Sequence, residues 1–247
     1  MKIALVGATG MIGSKILAEA VGRGHSITAI CRHPEKVAKH DRVRAVGVDV
    51  ADTATLAREF GGQDAIIHAY APHRDADVDT FLEAARGRGP ITMAVFAAYV
   101  PADEARHQAS IQSRIDAQKA ATGSVIAAAQ TAGVKRILGV GGAGTLLVDG
   151  VPSMDLPTFP RAFEGGAKST AVVKELLKHT PGLDWTVLCP STSITPGVRT
   201  GKFRLGLDDL LIEADGSSSI SVEDYAMAMV DELESPRHTG RRFTVGY

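Results

Sequence analysis

Three glycines near the start of the chain have the spacing of a phosphate-binding turn. Gly7, Gly10 and Gly13 follow a short apolar run and open a segment whose apolar residues recur at helical spacing. Gly7 permits a tight turn, Gly10 lets the backbone approach a pyrophosphate, and Gly13 allows the helix to pack closely on the sheet. The backbone N–H groups of Met11 and Ile12 would face an anion at the positive end of this helix. The pattern therefore predicts the binding of a dinucleotide.

The end of the second apolar run favours NADPH over NADH as that dinucleotide. Proteins that bind NAD commonly place a carboxylate there to hold the ribose hydroxyls. This chain has Arg32 instead, with Lys36 four residues further on. A guanidinium can bind a 2′-phosphate with two N–H groups and stack on adenine. The alternative is that Arg32 only balances surface charge.

Further cofactor contacts are predicted where other strands end, because ligands of open α/β sheets bind outside the carboxyl ends of the strands. Asp49 and Val50 would lie near the adenine, and residues after the fourth, fifth and sixth strands would line the nicotinamide end. The predicted cofactor site comprises Gly7, Thr9, Gly10, Met11, Ile12, Gly13, Arg32, Asp49, Val50, Ala69, Tyr70, Gly141, Pro190 and Ser191.

Three residues are candidates for catalysis, each with a structural alternative. Tyr70 could stack on a planar acceptor or only cap the edge of the core. His73 could act as an acid, because the pKa of imidazole is near the working pH, or simply lie on the surface. Ser191 could bond the nicotinamide carboxamide or close the turn after the sixth strand. We expect His68, inside a strand, to be a packed and hydrogen-bonded histidine.

The elements that must position these residues alternate between short apolar runs and helical periodicities. This alternation predicts an α/β fold, a Rossmann-type doubly wound parallel sheet, as one domain over residues 1–247. The periodicities also predict helices at 125–131, at 168–179, at 222–233 with Ser221 as its cap, and one that Asp52 caps and that runs through Phe60. The predicted strands are 3–6, 25–31, 43–48, 64–69, 136–140, 185–189 and 242–245.

Two regions depart from the alternation. Residues 72–122 are long for a connection between strands, which predicts an insertion that shapes the acceptor site. Residues 191–222 predict cap elements, including a hairpin about Asp215–Gly216. Arg199 and Arg204 in this cap could bind an anionic substrate or form ion pairs, for which nearby carboxylates are Asp208, Asp209, Glu223 and Asp224.

The bulk composition limits the partners of the chain. A net charge of −1 over 247 residues gives no general attraction to nucleic acid or to an acidic membrane surface. No long apolar segment predicts a signal or a membrane span, so the expected location is cytoplasmic. The two cysteines are expected to be buried thiols, and no cluster has the spacing of a metal site. The expected partner is a small-molecule acceptor, and the sequence leaves open whether the chain forms a homo-oligomer.

The motifs together resemble a known family. The turn Gly7–Gly13 with Arg32 resembles the atypical short-chain dehydrogenase/reductases of the NmrA-like, NAD(P)H-binding group. The C-terminal half is similar to the NADH-flavin reductase family, and biliverdin-IXβ/flavin reductase is a more distant relative. The resemblance implies a Rossmann core with a small C-terminal cap. The segments that carry it in that half are 183–190, 196–201, 204–206, 220–226 and 242–247.

The proton relay of ordinary short-chain dehydrogenases is absent. Those enzymes use a serine and a Tyr-x-x-x-Lys pair, but Glu164 stands four residues before Lys168, and no tyrosine of the chain precedes a lysine at that spacing. Hydride transfer to a flavin, quinone or similar conjugated acceptor needs only bound and oriented rings. Two alternatives stay open: a non-catalytic NADP(H)-binding redox sensor, and a reductase or isomerase of a specialised metabolite.

Overall fold

A computed structural model describes residues 1–73, 75–86 and 93–247. Within these residues the main sheet has eight strands in the order β3–β2–β1–β4–β5–β8–β12–β10, and only β10 runs antiparallel to its neighbour. This is the predicted Rossmann-type architecture. The strands are β1 Lys2–Val6, β2 Ser26–Cys31, β3 Val43–Gly47, β4 Ala65–His68, β5 Arg136–Val140, β6 Leu147–Val148, β7 Val151–Pro152, β8 Asp184–Pro190, β9 Ser193–Thr195, β10 Arg204–Gly206, β11 Ser219–Ser221 and β12 Arg241–Gly246.

Helices cover both faces of the sheet, which explains why its central strands are apolar on both sides. α1 and α7 pack on one face, and α2, α5 and α6 pack on the other. The helices are α1 Met11–Gly22, α2 Thr53–Phe60, α3 Ala76–Arg86, α4 Met93–Ala97, α5 Glu104–Ala132, α6 Glu164–Lys178 and α7 Val222–Glu234. None of the helices in the described residues is long and apolar enough to cross a membrane.

Helix ends follow the local sequence signals. The Asp52 side chain accepts a hydrogen bond from the Thr55 N–H at 3.0 Å and begins α2. Ser221 Oγ accepts from the Asp224 N–H at 3.0 Å and begins α7. Gly133 ends α5 in the left-handed region at φ 72°. Each group satisfies helix-terminal atoms that have no intrahelical partner.

α5 begins much earlier than the sequence predicts. Its first turn is capped by Asp103, whose side chain accepts from the Arg106 N–H at 3.0 Å. Before the predicted start at 125, its buried side includes His107, Gln118 and Thr122, polar residues that interrupt any apolar periodicity. The part of the predicted 72–122 insertion that falls in 104–122 is thus a regular helix.

The predicted hairpin about Asp215–Gly216 is wrong, although the turn itself exists. Gly216 has φ +84°, and its N–H donates to the Glu213 carbonyl at 2.9 Å. The strand after the turn, β11, pairs in parallel with β9 instead of with residues 210–213. Leu210 donates to the Leu147 carbonyl at 2.9 Å, so the start of the segment before the turn is bonded elsewhere. Its last residue, Glu213, does bond across the turn, since its N–H donates to the Ser217 carbonyl at 2.7 Å.

The cap arginines have structural partners that the sequence did not indicate. Arg199 donates two hydrogen bonds of 2.8 Å to the carboxylate of Glu19 on α1, and lowers the pKa of that carboxyl. Arg204 donates to the carbonyls of Ile212 and Tyr247. The ion-pair alternative is therefore confirmed for Arg199, with a carboxylate other than those named, whereas Arg204 bonds backbone carbonyls instead of a carboxylate. Both cysteines are buried free thiols, as expected.

Candidate functional site

The glycine turn between β1 and α1 requires glycine at two positions because of backbone packing. Gly7 has φ +87°, and a Cβ there would lie 2.6 Å from the Ala69 carbonyl oxygen. A Cβ on Gly13 would lie 2.1 Å from the Gly7 carbonyl oxygen. Both distances are shorter than a nonbonded contact allows. These two glycines thus bring the start of α1 against the ends of β1 and β4.

Gly10 has no such requirement. Its φ of −72° suits any residue, and a Cβ would meet only the Gly7 carbonyl oxygen, at 3.4 Å. The space in front of Gly10 is open, and it is the position at which a pyrophosphate would touch the backbone. The residues of the turn therefore fit a dinucleotide.

The start of α1 also presents positive charge to this space. Gly10 is the N-cap and supplies no capping side chain, and the first turn contains no acidic residue. The Ser14 N–H is bonded to the Gly10 carbonyl at 2.9 Å, so the preceding N–H groups of Met11 and Ile12 are those that a helix leaves for an anion. Thr9 beside them is exposed, and burial raises the pKa of the nearby Cys31 thiol, a rise that the Thr9 side chain partly opposes.

Residues from three strand ends meet beside the turn. Arg32, after β2, donates from Nη2 to His73 Nε2 at 2.9 Å. Tyr70, after β4, is half-buried; burial raises the pKa of its hydroxyl, with Arg32 lowering and Asp49 raising it. Asp49, after β3, is exposed and accepts from the Ala51 N–H at 2.9 Å. Four of the predicted site residues therefore form one cluster, which we call the Arg32 cluster. It comprises Arg32, Asp49, Tyr70 and His73.

A cavity of about 400 Å³ opens at the carboxyl ends of β5 and β8. Its wall contains Gly142, Pro190 and Ser191, while Gly141 is buried beneath. No residue lining it in the described part of the chain is ionisable. The apolar side chains of the lining are Val148, Leu156, Phe159, Phe163, Ile194 and Leu210, with prolines and alanines between them.

Four of the five side-chain hydroxyls that line this cavity are committed to the backbone, whereas the hydroxyl of the exposed Thr158 has no hydrogen bond within the described residues. The hydroxyls of Ser153, Thr170, Ser191 and Thr192 each donate to a carbonyl at 2.9 to 3.0 Å. Ser191 is only 1 % exposed, and its acceptor is the Val245 carbonyl on β12. Because each hydroxyl has a single proton, these groups have none left to give to a ligand.

The candidate catalytic residues are therefore distributed between two places. Ser191 lines the cavity, whereas Tyr70 and His73 belong to the Arg32 cluster and are not part of the described lining. His68 is buried, as expected, with Nε2 3.0 Å from Thr122 Oγ1, and desolvation lowers its pKa to about 4. A pKa so far below the working pH keeps this imidazole neutral.

Sequence reasoning missed the segment that builds most of the cavity. Residues 142–163 supply one wall, whereas within the described residues the 72–122 region does not line it. That region contributes from behind, since the ring of Phe96 on α4 packs on Phe163 with centroids 4.5 Å apart. The available signal was a run of apolar residues and prolines with neither helical nor strand periodicity, which is unusual for a surface loop.

Comparison with known proteins places these features in a family. The family model described as NAD(P)H-binding matches residues 7–236. A Burkholderia pseudomallei protein provisionally named an exported protein is 35 % identical, with a TM-score of 0.76 and full coverage of both chains. A Bacteroides thetaiotaomicron protein provisionally named an epimerase is 34 % identical, with a TM-score of 0.79 over 100 % of this chain and 96 % of that one.

A third solved structure carries the name that the sequence motifs suggested. It is a Streptococcus pneumoniae protein provisionally named an NADH-flavin reductase, 28 % identical, with a TM-score of 0.68 over 100 % of this chain and 99 % of that one. The family match covers the glycine turn, the Arg32 cluster and the cavity wall alike. This chain belongs to the NAD(P)H-binding family, with a Rossmann-type oxidoreductase fold.

Proposed function

We propose that this protein transfers a hydride from NADPH to a flavin, a quinone or a similar conjugated planar acceptor. The observation that carries the proposal is the cavity at the ends of β5 and β8, which has no ionisable lining residue in the described chain and in which four of the five side-chain hydroxyls donate to backbone carbonyls. Its volume lies within the usual range for small-molecule sites.

The residues proposed to bind the dinucleotide extend from the Arg32 cluster to this cavity. The turn from Gly7 to Gly13 would hold the pyrophosphate, and the Arg32 cluster would hold the adenosine end. Pro190 and Ser191 would face the nicotinamide end, beside the cavity. The bound nicotinamide supplies a hydride, and the protein's task is to hold the two rings against each other and exclude competing water.

The chemistry of the cavity favours an acceptor whose reduction needs no proton donor from the protein. Reduction of an isolated ketone develops charge on one oxygen, which enzymes stabilise with a proton donor or an oxyanion hole. A flavin or quinone spreads the added electron pair over its ring system and can take its proton from solvent. The name of the Streptococcus pneumoniae relative supports the same class.

The test is turnover of purified protein with NADPH and a panel of acceptors, followed by the loss of NADPH absorbance. We expect oxidation with FMN or a small neutral naphthoquinone and none with an aliphatic ketone. Because the lining supplies no titrating group, kcat should be nearly independent of pH over roughly pH 6 to 9. Leu156→Asp should abolish turnover by placing a charge in the cavity, and Val151→Asp, at an exposed neighbour, should not.

Two outcomes would redirect the proposal. Tight NADPH binding without oxidation by any acceptor would favour the redox sensor. A cavity whose described lining has no ionisable group fits such a sensor equally well. Turnover only with a structured organic substrate would favour the specialised reductase or isomerase. The epimerase name of the Bacteroides thetaiotaomicron relative belongs to that alternative.

The preference for NADPH over NADH is part of the proposal. It is supported by Arg32 at the end of β2, with no carboxylate ion-paired to it among the described residues. Arg32→Ala should weaken NADPH binding far more than NADH binding. Equal losses for the two dinucleotides would remove Arg32 as the phosphate-binding residue.

We also propose a cytoplasmic location. It is supported by two cysteines that are buried and unpaired, a state typical of a reducing compartment. Fractionation of cells that express the protein with an epitope tag would test this, and recovery in the exported fraction, as the name of the Burkholderia pseudomallei relative would suggest, would contradict it.

A further inference from the structure

Arg32 and His73 come from different strand ends and meet at the surface. Arg32 follows β2, whereas His73 lies five residues beyond the end of β4. Arg32 Nη2 lies 2.9 Å from His73 Nε2, and both residues are exposed. A guanidinium can only donate, so the imidazole nitrogen is the acceptor and His73 is neutral in this contact.

The acceptor that holds Arg32 is uncharged, and this distinguishes it from the usual partners of arginine. A carboxylate in the place of His73 would orient the guanidinium but would also neutralise it and compete with a phosphate. A neutral imidazole orients the guanidinium and leaves its charge intact. Glu35 lies three residues after Arg32 in the sequence, and its Oε1 is 3.2 Å from His33 Nδ1. No described carboxylate forms an ion pair with Arg32.

The remaining donors of the guanidinium then stay available. Arg32 has five N–H donors in a planar fork, and the contact with His73 uses one of them. Fixing a long side chain before a ligand arrives reduces the conformational entropy that binding would otherwise cost. Tyr70 and Asp49 line the same space, and Asp49 is held by the Ala51 N–H.

We propose that His73 is a specificity-determining residue that positions Arg32 for the 2′-phosphate of NADPH. This proposal rests on the NADPH preference proposed above. His73 makes Arg32 a preoriented phosphate ligand without cancelling its charge, and the catalytic step does not involve it.

The experiment measures dissociation constants of NADPH and NADH by calorimetry for the full chain and its variants. His73→Ala should weaken NADPH about five-fold and change NADH less than about two-fold, because only the 2′-phosphate contact depends on Arg32. His73→Gln should restore most of the loss, since its amide oxygen can also accept from Arg32. His33→Ala removes a neighbouring exposed histidine that faces Glu35, and should change neither constant.

A double-mutant cycle separates positioning from direct contact. If His73 acts through Arg32, His73→Ala should have no further effect on NADPH in the Arg32→Ala background. A loss that persists in that background, or tighter NADPH binding in His73→Ala, would overturn the proposal. If Arg32→Ala removes an NADPH preference but His73→Ala does not, only this inference fails. If the unaltered protein has no preference for NADPH, both this inference and the proposed cofactor preference fail.

Discussion

At the scale of single residues, the three positions of the turn hold glycine for different physical reasons. Gly7 and Gly13 are needed by the chain itself, since a Cβ on either would lie within 2.6 Å of a backbone oxygen. Gly10 has ordinary dihedral angles and open space in front of it. The fold requires two of the glycines, and the third, Gly10, is the one left open for the proposed pyrophosphate contact.

This difference predicts opposite phenotypes for two similar substitutions. Gly10→Ala should fold with a loss of at most about 1 kcal/mol from the altered N-cap, yet weaken NADPH at least about ten-fold. Gly13→Ala should cost about 2 kcal/mol or more of stability, because the Gly7 carbonyl must move. Thermal unfolding and NADPH titration of both variants check this. Normal NADPH affinity in Gly10→Ala would contradict the proposed phosphate position.

At the scale of elements, α4 supports the proposed acceptor cavity, although none of its described side chains lines it. Phe96 on α4 packs against Phe163, which is part of the cavity wall. Phe163 lies in the segment before α6, so two segments that are distant along the chain determine the shape of one wall. Sequence reasoning placed residues 72–122 at the acceptor site, and the structure makes part of that region a support for the wall.

Phe96→Ala should therefore affect the acceptor and leave the dinucleotide untouched. Loss of an aromatic pair worth about 1 kcal/mol should raise KM for the acceptor about five-fold by loosening Phe163. Steady-state kinetics with the quinone, together with NADPH titration, would measure both effects. As a control, Phe81→Ala alters a ring that contacts Tyr99 in the same region and should leave KM unchanged. A parallel rise in the NADPH dissociation constant would indicate general unfolding of the region.

At the scale of the whole molecule, the sheet centre contains a histidine that limits stability in acid. His68 is 1 % exposed on β4, and within the described residues its imidazole hydrogen-bonds only the side chains of Thr122 and Gln118 of α5. Desolvation lowers its pKa from 6.5 to about 4. The unfolded chain therefore binds a proton between these pH values that the folded chain does not.

The contribution of His68 to stability is fully present above pH 6.5 and is lost as the pH falls toward 4. The full loss corresponds to about 3 kcal/mol. In His68→Gln the free energy of unfolding should fall less steeply over this range than in the unaltered protein. Urea unfolding at a series of pH values gives both slopes, with exposed His33→Gln as the control for general titration. Equal slopes for His68→Gln and the unaltered protein would contradict the desolvated state of His68.

Local patterns were sufficient for much of this molecule. Parallel strands buried on both faces must be short apolar runs, so their positions could be predicted from the sequence alone, within a residue or two. The glycine turn could also be predicted, because its three glycines lie within seven residues of one another and the contacts that require them are largely local. The caps Asp52 and Ser221 act within three residues, and both were predicted for the same reason.

Only the tertiary structure decided the extent of α5, the cavity and the partners of the exposed arginines. Before residue 125, α5 buries polar residues that bond to other elements, as Gln118 and Thr122 do to His68 on β4, so no apolar period marks this part of the helix. The cavity forms because β5 and β8 are neighbours in the sheet and bring residues 142–170 to residues 190–194. The contact of Arg32 with His73 likewise depends on the strand order, since β2 and β4 flank β1. Sequence by itself determined what the local backbone could do, and sheet order determined which distant side chains meet.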